Sequence, residues 1–139
     1  MSTAEVSMIA VPPRSRGVTV LVVLQSALAC CYYVGAGGLY LLVSAKNGWP
    51  GWLGPDHDPK GYWPAFLWPL YLPVAVSVGA GLVFAPVLAI VGGANLVRPS
   101  VRANRRLFWT LAATTLLCAG MVVLIMTPLG QHLQAWMLD

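Results

Sequence analysis

Three long stretches without a charged side chain constrain this sequence more than any other feature. They lie between Arg16 and Lys46, between Lys60 and Arg98, and between Arg106 and Asp139. A helix needs about 20 apolar residues to cross a hydrocarbon layer of about 30 Å, and each stretch is longer than that. Only 9% of the residues are charged and 58% are hydrophobic, whereas soluble domains carry about 25% charged residues. The sequence therefore predicts an all-α integral membrane protein with three transmembrane helices.

Charge, proline and glycine positions set the boundaries of the predicted segments. Pro86 falls within the second span, where a missing amide hydrogen and a bulky ring predict a kink. After the third span, Leu133 and Trp136 share a helical face, which predicts a short interfacial C-terminal helix. The predicted order is a tail at 1–16, a transmembrane helix at 17–44, an aromatic Pro/Gly-rich outer loop at 45–69, a transmembrane helix at 70–97, an Arg-rich loop at 98–106, a transmembrane helix at 107–127 and an outer interfacial segment at 128–139.

The basic residues predict how the chain is oriented. Loops on the cytoplasmic side of membrane proteins collect Lys and Arg. The arginines lie on the side shared by the N-terminus and the second loop, whereas Lys46 and Lys60 lie on the other side. We therefore expect a multi-pass cell-membrane protein with a cytoplasmic N-terminus and an extracytoplasmic C-terminus. The expected cytoplasmic anchor consists of Arg98, Arg102, Arg105 and Arg106. Abundant Ala, Gly, Val, Arg and Pro with scarce Lys indicates a bacterial source.

Small side chains recur at four-residue steps on two of the predicted helices. Residues four apart lie on one helical face, and in lipid the close packing of such faces is a main source of helix association. Two interpretations stay open, namely internal packing against the other spans or docking of another protein's helix. The predicted packing faces are Ser77, Gly81, Ala85, Ala89 and Gly93 on the second helix and Ala27, Cys31 and Gly35 on the first.

Side chains able to perform chemistry are scarce. The predicted spans hold no ionisable Asp, Glu, Lys, Arg or His, the residues that mark ion and proton pathways in membranes. Gln25 and Asn95 lie within spans, and we expect them to make structural hydrogen bonds. The sequence lacks a serine-hydrolase elbow and a phosphate-binding loop, and no basic and aromatic surface indicates nucleic-acid binding. We therefore favour a protein without catalytic residues, cofactor or bound metal.

One polar group on the outer side has the composition of a metal site. Asp56, His57 and Asp58 follow one another in the outer loop, and His132 lies on the same side of the membrane. Imidazole and carboxylate groups are common zinc ligands. Prolines flank the three loop residues, however, and Asp and Pro are typical turn residues. A solvated turn is therefore the favoured interpretation, with a metal or substrate site as the alternative.

The leading functional hypothesis is a non-catalytic accessory or structural subunit of a larger membrane complex. It rests on a chain that is nearly all membrane-embedded, lacks reactive groups and carries long small-residue faces. Its expected partners are membrane lipid and another membrane protein. One alternative is a small self-associating transporter or pore, suggested by the glycine-rich second span. A second alternative is an outward-facing metal-dependent membrane enzyme built on the outer polar group.

Overall fold

The computed structural model describes residues 16–48, 53 and 56–138, and the regular structure within these ranges is helical. Helix α1 spans Arg16–Lys46 and has a π-helical segment at Cys31–Gly37 between α-helical segments at Arg16–Cys30 and Gly38–Lys46. The remaining elements are α2 at Pro59–Tyr62, a 3-10 turn at Ala65–Leu67, α3 at Trp68–Leu96, α4 at Pro99–Ala103, α5 at Arg105–Met126 and α6 at Pro128–Leu138.

Three of these helices are long and apolar enough to cross a membrane. They are α1 with 31 residues, α3 with its preceding 3-10 turn at 32 residues, and α5 with 22 residues. Large apolar side chains on all three point away from the protein, for example Val34 at 70%, Ile90 at 72% and Leu116 at 71% exposure. Soluble proteins rarely expose broad apolar surfaces. The all-helical architecture with three such helices is confirmed, and it suggests a multi-pass membrane protein.

The ends of the helices differ from the predicted boundaries. The predicted outer loop at 45–69 contains α2 and the 3-10 turn, while its Trp49 and Trp52 lie outside the described residues. The predicted loop at 98–106 contains α4, which begins at a proline, as first helical turns tolerate. Asn104 caps α5, because its side chain accepts a hydrogen bond from the Leu107 amide at 3.3 Å. Helix α3 continues through Pro86 as one element.

The protein interior has two apolar regions along the long axis of the bundle. We call the end that carries Arg16, Arg98 and Arg105 the arginine end, and the opposite end, which carries Trp63 and α6, the aromatic end. The smaller apolar cluster lies at the arginine end and is built around Val18, Leu21, Val101 and Leu111. The larger cluster fills the aromatic half, with these buried members among others: Tyr32, Tyr40, Val78, Met121 and Trp136. The most extensive helix contact joins α3 to α5.

Helix α6 packs on the bundle and covers side chains that the shorter α5 leaves open. Leu133, Trp136 and Met137 are buried against the aromatic-end cluster. The Trp136 ring lies edge-on to Tyr40 with 5.4 Å between ring centroids. The amide of Gln134 donates to the Val78 carbonyl at 3.2 Å. The amphipathic face of this segment, which the sequence assigns to the membrane interface, therefore contacts protein.

A tight turn joins α5 to α6. Thr127 caps α6, because its hydroxyl oxygen accepts a hydrogen bond from the Gly130 amide at 3.2 Å, and the same hydroxyl donates to the Leu124 carbonyl at 2.6 Å. A Cβ atom at Gly130 would overlap the Leu124 carbonyl and the Ile125 Cα. Only glycine fits this close approach of two backbones.

Substitution of Gly130 tests this turn. Gly130→Ala is expected to lower the free energy of unfolding by about 1–3 kcal/mol, the usual cost of overpacking. Thermal unfolding of the purified chain in detergent measures the effect as a lower midpoint. Gly61→Ala is the matched control, because a Cβ at Gly61 meets no atom within 4 Å. Equal midpoints for the two variants would contradict the close packing of α6 on the end of α5.

Candidate helix-docking site

The small-residue face of α3 is mostly covered by other parts of the same chain. Ser77, Gly81 and Ala85 are buried, and Ala89 and Gly93 are partly buried. A Cβ atom at Gly81 would overlap the end of the Met121 side chain on α5. A Cβ atom at Gly93 would meet no atom within 4 Å. The buried part of this face therefore packs inside the bundle, and its remainder towards the arginine end is more open.

The small-residue face of α1 has a different environment. Gly35 packs inwards, since a Cβ atom there would clash with the Val74 side chain of α3. Ala27 is exposed and Cys31 is partly buried. Both line an open groove between α1 and α3 with a volume of about 350 Å³. This part of the face therefore has no helix of the described chain packed over it.

A second groove continues the first one towards the aromatic end. The two grooves share Cys31 and Pro73, and the second has a volume of about 410 Å³. We call the two grooves together the α1–α3 seam. The α1 side of the seam is lined by Leu24, Ala27, Leu28, Cys30, Cys31, Val34, Gly35, Gly38, Leu39 and Leu42. Facing them on α3 and the segment before it are Tyr62, Trp63, Pro64, Leu67, Leu70, Pro73, Val74, Val76, Ser77, Ala80, Phe84 and Leu88. This lining is almost entirely apolar.

Aromatic side chains close the seam at its aromatic end. The indole N–H of Trp63 donates to the Leu67 carbonyl at 2.6 Å. The Trp63 ring lies edge-on to Tyr71 at 5.6 Å between centroids, and Trp68 contacts the same tyrosine at 5.5 Å. Trp and Tyr favour membrane–water interfaces, because the ring is apolar and its polar atom needs a partner. Trp63, Trp68 and Tyr71 thus form an aromatic edge beside the seam.

A layer of polar side chains joins the three long helices between the two apolar clusters. Gln25 on α1 is fully buried. Its amide nitrogen donates to the Leu88 carbonyl of α3 at 2.8 Å and contacts the Thr115 hydroxyl of α5 at 3.3 Å. Its amide oxygen accepts from the Thr114 hydroxyl at 2.7 Å. Gly92 permits this arrangement, because a Cβ atom there would overlap both the Gln25 amide and Thr115.

Other polar side chains in the spans bond to backbone carbonyls. The Asn95 amide donates to the Val91 carbonyl of its own helix at 2.7 Å, and the Ser77 hydroxyl donates to the Val74 carbonyl at 2.7 Å. Both amide residues thus make hydrogen bonds within the protein, and the bond joins two helices for Gln25 but not for Asn95. A bond within the helix satisfies Asn95 without a neighbouring helix.

The π-helical segment of α1 and its two tyrosines are features that the sequence analysis missed. The Tyr33 hydroxyl donates to the Leu117 carbonyl of α5 at 3.0 Å. The Tyr32 side chain is fully buried, and its hydroxyl has no hydrogen-bond partner among the described residues. The wider π turn changes which side chains share a face before and after it. The nearest sequence signal is the glycine-rich run at 35–38, of which Gly35 is predicted only as part of a packing face.

The residues of the predicted outer polar group take part in two separate features, namely a capped turn before α2 and an aromatic contact of α6 with α1. The Asp58 carboxylate caps α2 by accepting from the Lys60 amide at 2.8 Å. Asp56 is exposed, and the backbone carbonyl of His57 accepts from the Trp136 indole at 2.6 Å. The His132 ring lies edge-on to Tyr40 at 6.0 Å. In ranges 16–48, 53 and 56–138, no three His, Cys, Asp or Glu side chains are grouped as metal ligands.

The arginines of the second loop are exposed, and one of them caps a helix. The side chains of Arg98, Arg102, Arg105 and Arg106 are all exposed. The Arg102 guanidinium donates from Nε to the Leu96 carbonyl at 3.2 Å. This contact satisfies a carbonyl at the C-terminal end of α3, where a cation is also favoured by the helix dipole. The other three have no such helix-capping bond in the structure described.

The fold and the seam together describe a bundle of three helices long and apolar enough to span a membrane, with an internal polar layer and an apolar seam open on one side. Comparison of the chain with protein-family models, with curated proteins and with solved structures finds no significant match.

Two neighbouring glycines test the polar layer. Gly92→Ala is expected to lower the free energy of unfolding by about 1–3 kcal/mol, because the added methyl displaces Gln25 from Thr115. Gly93→Ala should be neutral or slightly stabilising, because it adds a helix-favouring residue in open space. Thermal unfolding in one detergent compares the pair. If both variants unfold at the wild-type midpoint, the packing of the three helices around Gln25 is wrong.

Proposed function

We propose that this chain is a non-catalytic subunit of a membrane complex, and that a transmembrane helix of its partner packs into the α1–α3 seam. The observation that carries the proposal is the open part of the seam around Ala27 and Cys31, where small side chains face a groove that the described chain leaves unfilled.

Helix packing in lipid explains why such a groove favours a partner helix. Lipid chains are as apolar as the helix surface, so burial of apolar area drives association only weakly in a bilayer. Close approach of backbones and good van der Waals packing supply the attraction, and small residues such as Ala27 allow that approach. Phe84 on the opposite wall gives the groove depth. A helix matched to this shape makes contacts that mobile lipid chains make less completely.

The use of polar groups inside the bundle supports a structural role. Gln25 and Thr114 bond to each other across helices, while Ser77 and Asn95 bond to carbonyls of their own helix. Catalysis and ion conduction need polar groups that face substrate or water. In the described part of the spans, these groups instead bond to one another or to backbone carbonyls.

A bulky substitution in the seam tests the proposal. Ala27→Trp would fill the groove, and Ile90→Trp introduces the same side chain on a lipid-facing position outside it. We expect the wild-type chain and Ile90→Trp to co-purify with a second membrane protein in mild detergent, at a particle mass above that of the 14.8 kDa chain in a micelle. Ala27→Trp should lose that companion while keeping its own thermal unfolding midpoint.

Three results of this purification would contradict the proposal. A wild-type chain that elutes as a monodisperse monomer without a companion would remove the proposed partner. A companion retained equally by both tryptophan variants would place the contact elsewhere. If the only companion were a second copy of this chain, the self-associating transporter or pore would replace the accessory subunit as the leading function.

The proposed setting is a bacterial cell membrane, with the arginine end in the cytoplasm. The support is the distribution of Arg98, Arg102, Arg105 and Arg106 at one end of the bundle, following the positive-inside rule. A phosphatase fused after Asp139 should be active, and a fluorescent protein fused there should be dark. The reverse pattern would contradict the orientation. Neutralising all four arginines should reduce the difference between the two reporters, because the orientation of the chain depends on the charge of these arginines.

A further inference from the structure

A third groove between α1 and α3 lies at the arginine end and differs in character from the seam. It has a volume of about 460 Å³ and shares only Leu24 with the nearer seam groove. Val20, Leu24 and Val91 provide exposed apolar walls. Arg98 and Asn95 line the groove as well. A cation and an amide therefore border one groove together with apolar surface that extends towards the middle of the bundle.

The charge at this end is one-sided in the described residues. Arg16, Arg98, Arg105 and Arg106 are exposed here. The described carboxylates, Asp56 and Asp58, belong to the turn before α2 at the opposite end. Arg102 is engaged with the Leu96 carbonyl, whereas Arg98 borders the groove. The arginine end thus has an excess of positive charge that an external anion would complement.

We propose that this groove binds one anionic phospholipid, with its phosphate at Arg98 and one acyl chain along Val20, Leu24 and Val91. A guanidinium forms strong, directional hydrogen bonds to phosphate oxygens. The Asn95 amide donates one hydrogen to the Val91 carbonyl and has a second available. A free phosphate would use the polar groups only and leave the apolar walls uncovered. A lipid uses both, because its phosphate and its acyl chain belong to one molecule and Arg98 and Val91 line one groove.

Two variants with matched controls test the groove, using the full chain in detergent and native mass spectrometry of bound lipid. Arg98→Gln removes the charge at the groove, and Arg105→Gln makes the same change of net charge outside it. Gly17→Leu adds a bulky side chain to a residue that lines the groove, where a Cβ meets no atom within 4 Å. Gly93→Leu adds the same side chain in open space at a residue outside the groove. The probes are phosphatidylglycerol and phosphatidylcholine.

The wild-type chain should retain one phosphatidylglycerol in preference to phosphatidylcholine. Arg98→Gln should weaken phosphatidylglycerol binding by about fivefold, the factor expected for one cation near a membrane surface. Gly17→Leu should weaken both lipids, because it blocks the apolar walls. The two control variants should bind like the wild type, and inorganic phosphate should not displace the lipid.

An equal loss of phosphatidylglycerol binding in Arg98→Gln and Arg105→Gln would overturn the proposal, because lipid binding would then depend on the overall charge of the chain. Lipid binding at the wild-type level by Gly17→Leu would also overturn the proposal, since the lipid would then not contact the apolar walls. Thermal unfolding of every variant identifies any that are misfolded. Val91→Trp is a second groove-filling change if Gly17→Leu is unstable, and undiminished binding by that variant has the same consequence.

Discussion

The satisfaction of one buried amide is the constraint on which the rest of the bundle depends. A polar group in a water-free interior is costly unless it is hydrogen-bonded. Gln25 meets this requirement only when α1, α3 and α5 are side by side, because its bonds go to Leu88, Thr114 and Thr115. The approach of α3 depends in turn on the missing side chain of Gly92. The polar layer thereby sets the register of the three helices, and the apolar clusters pack on either side of it.

The unequal lengths of the helices explain the aromatic half of the molecule. Helix α5 has 22 residues against 31 in α1, and the aromatic contacts of Tyr40, near the end of the longer helix, come from α6. The sharp turn at Gly130 returns the chain as α6, whose Trp136 and Met137 complete the cluster. The Trp136 indole also donates a hydrogen bond to the His57 carbonyl in the turn before α2. The region where sequence analysis considered a metal site is therefore organised by aromatic packing and helix capping.

The side of the bundle between α1 and α3 combines two kinds of surface. Its larger part is an apolar seam with small side chains at Ala27 and Cys31, which favours a partner helix. Its arginine end adds Arg98 to apolar walls, which favours an anionic lipid. The two proposals use different stretches of α1 and share only Leu24. Both proposals follow from packing and charge.

The sequence by itself determined the helical class, the number of membrane-length helices and the collection of arginines at one end. These follow from local composition, because a long uncharged segment favours a helix in lipid whatever surrounds it. Tertiary structure decided which small residues are covered, since Gly81 packs against the Met121 side chain whereas Ala27 lines an open groove. It also decided that Gln25 bonds across helices while Asn95 does not. Periodicity defines a helical face, but the rotation of each helix relative to its neighbours decides what that face contacts.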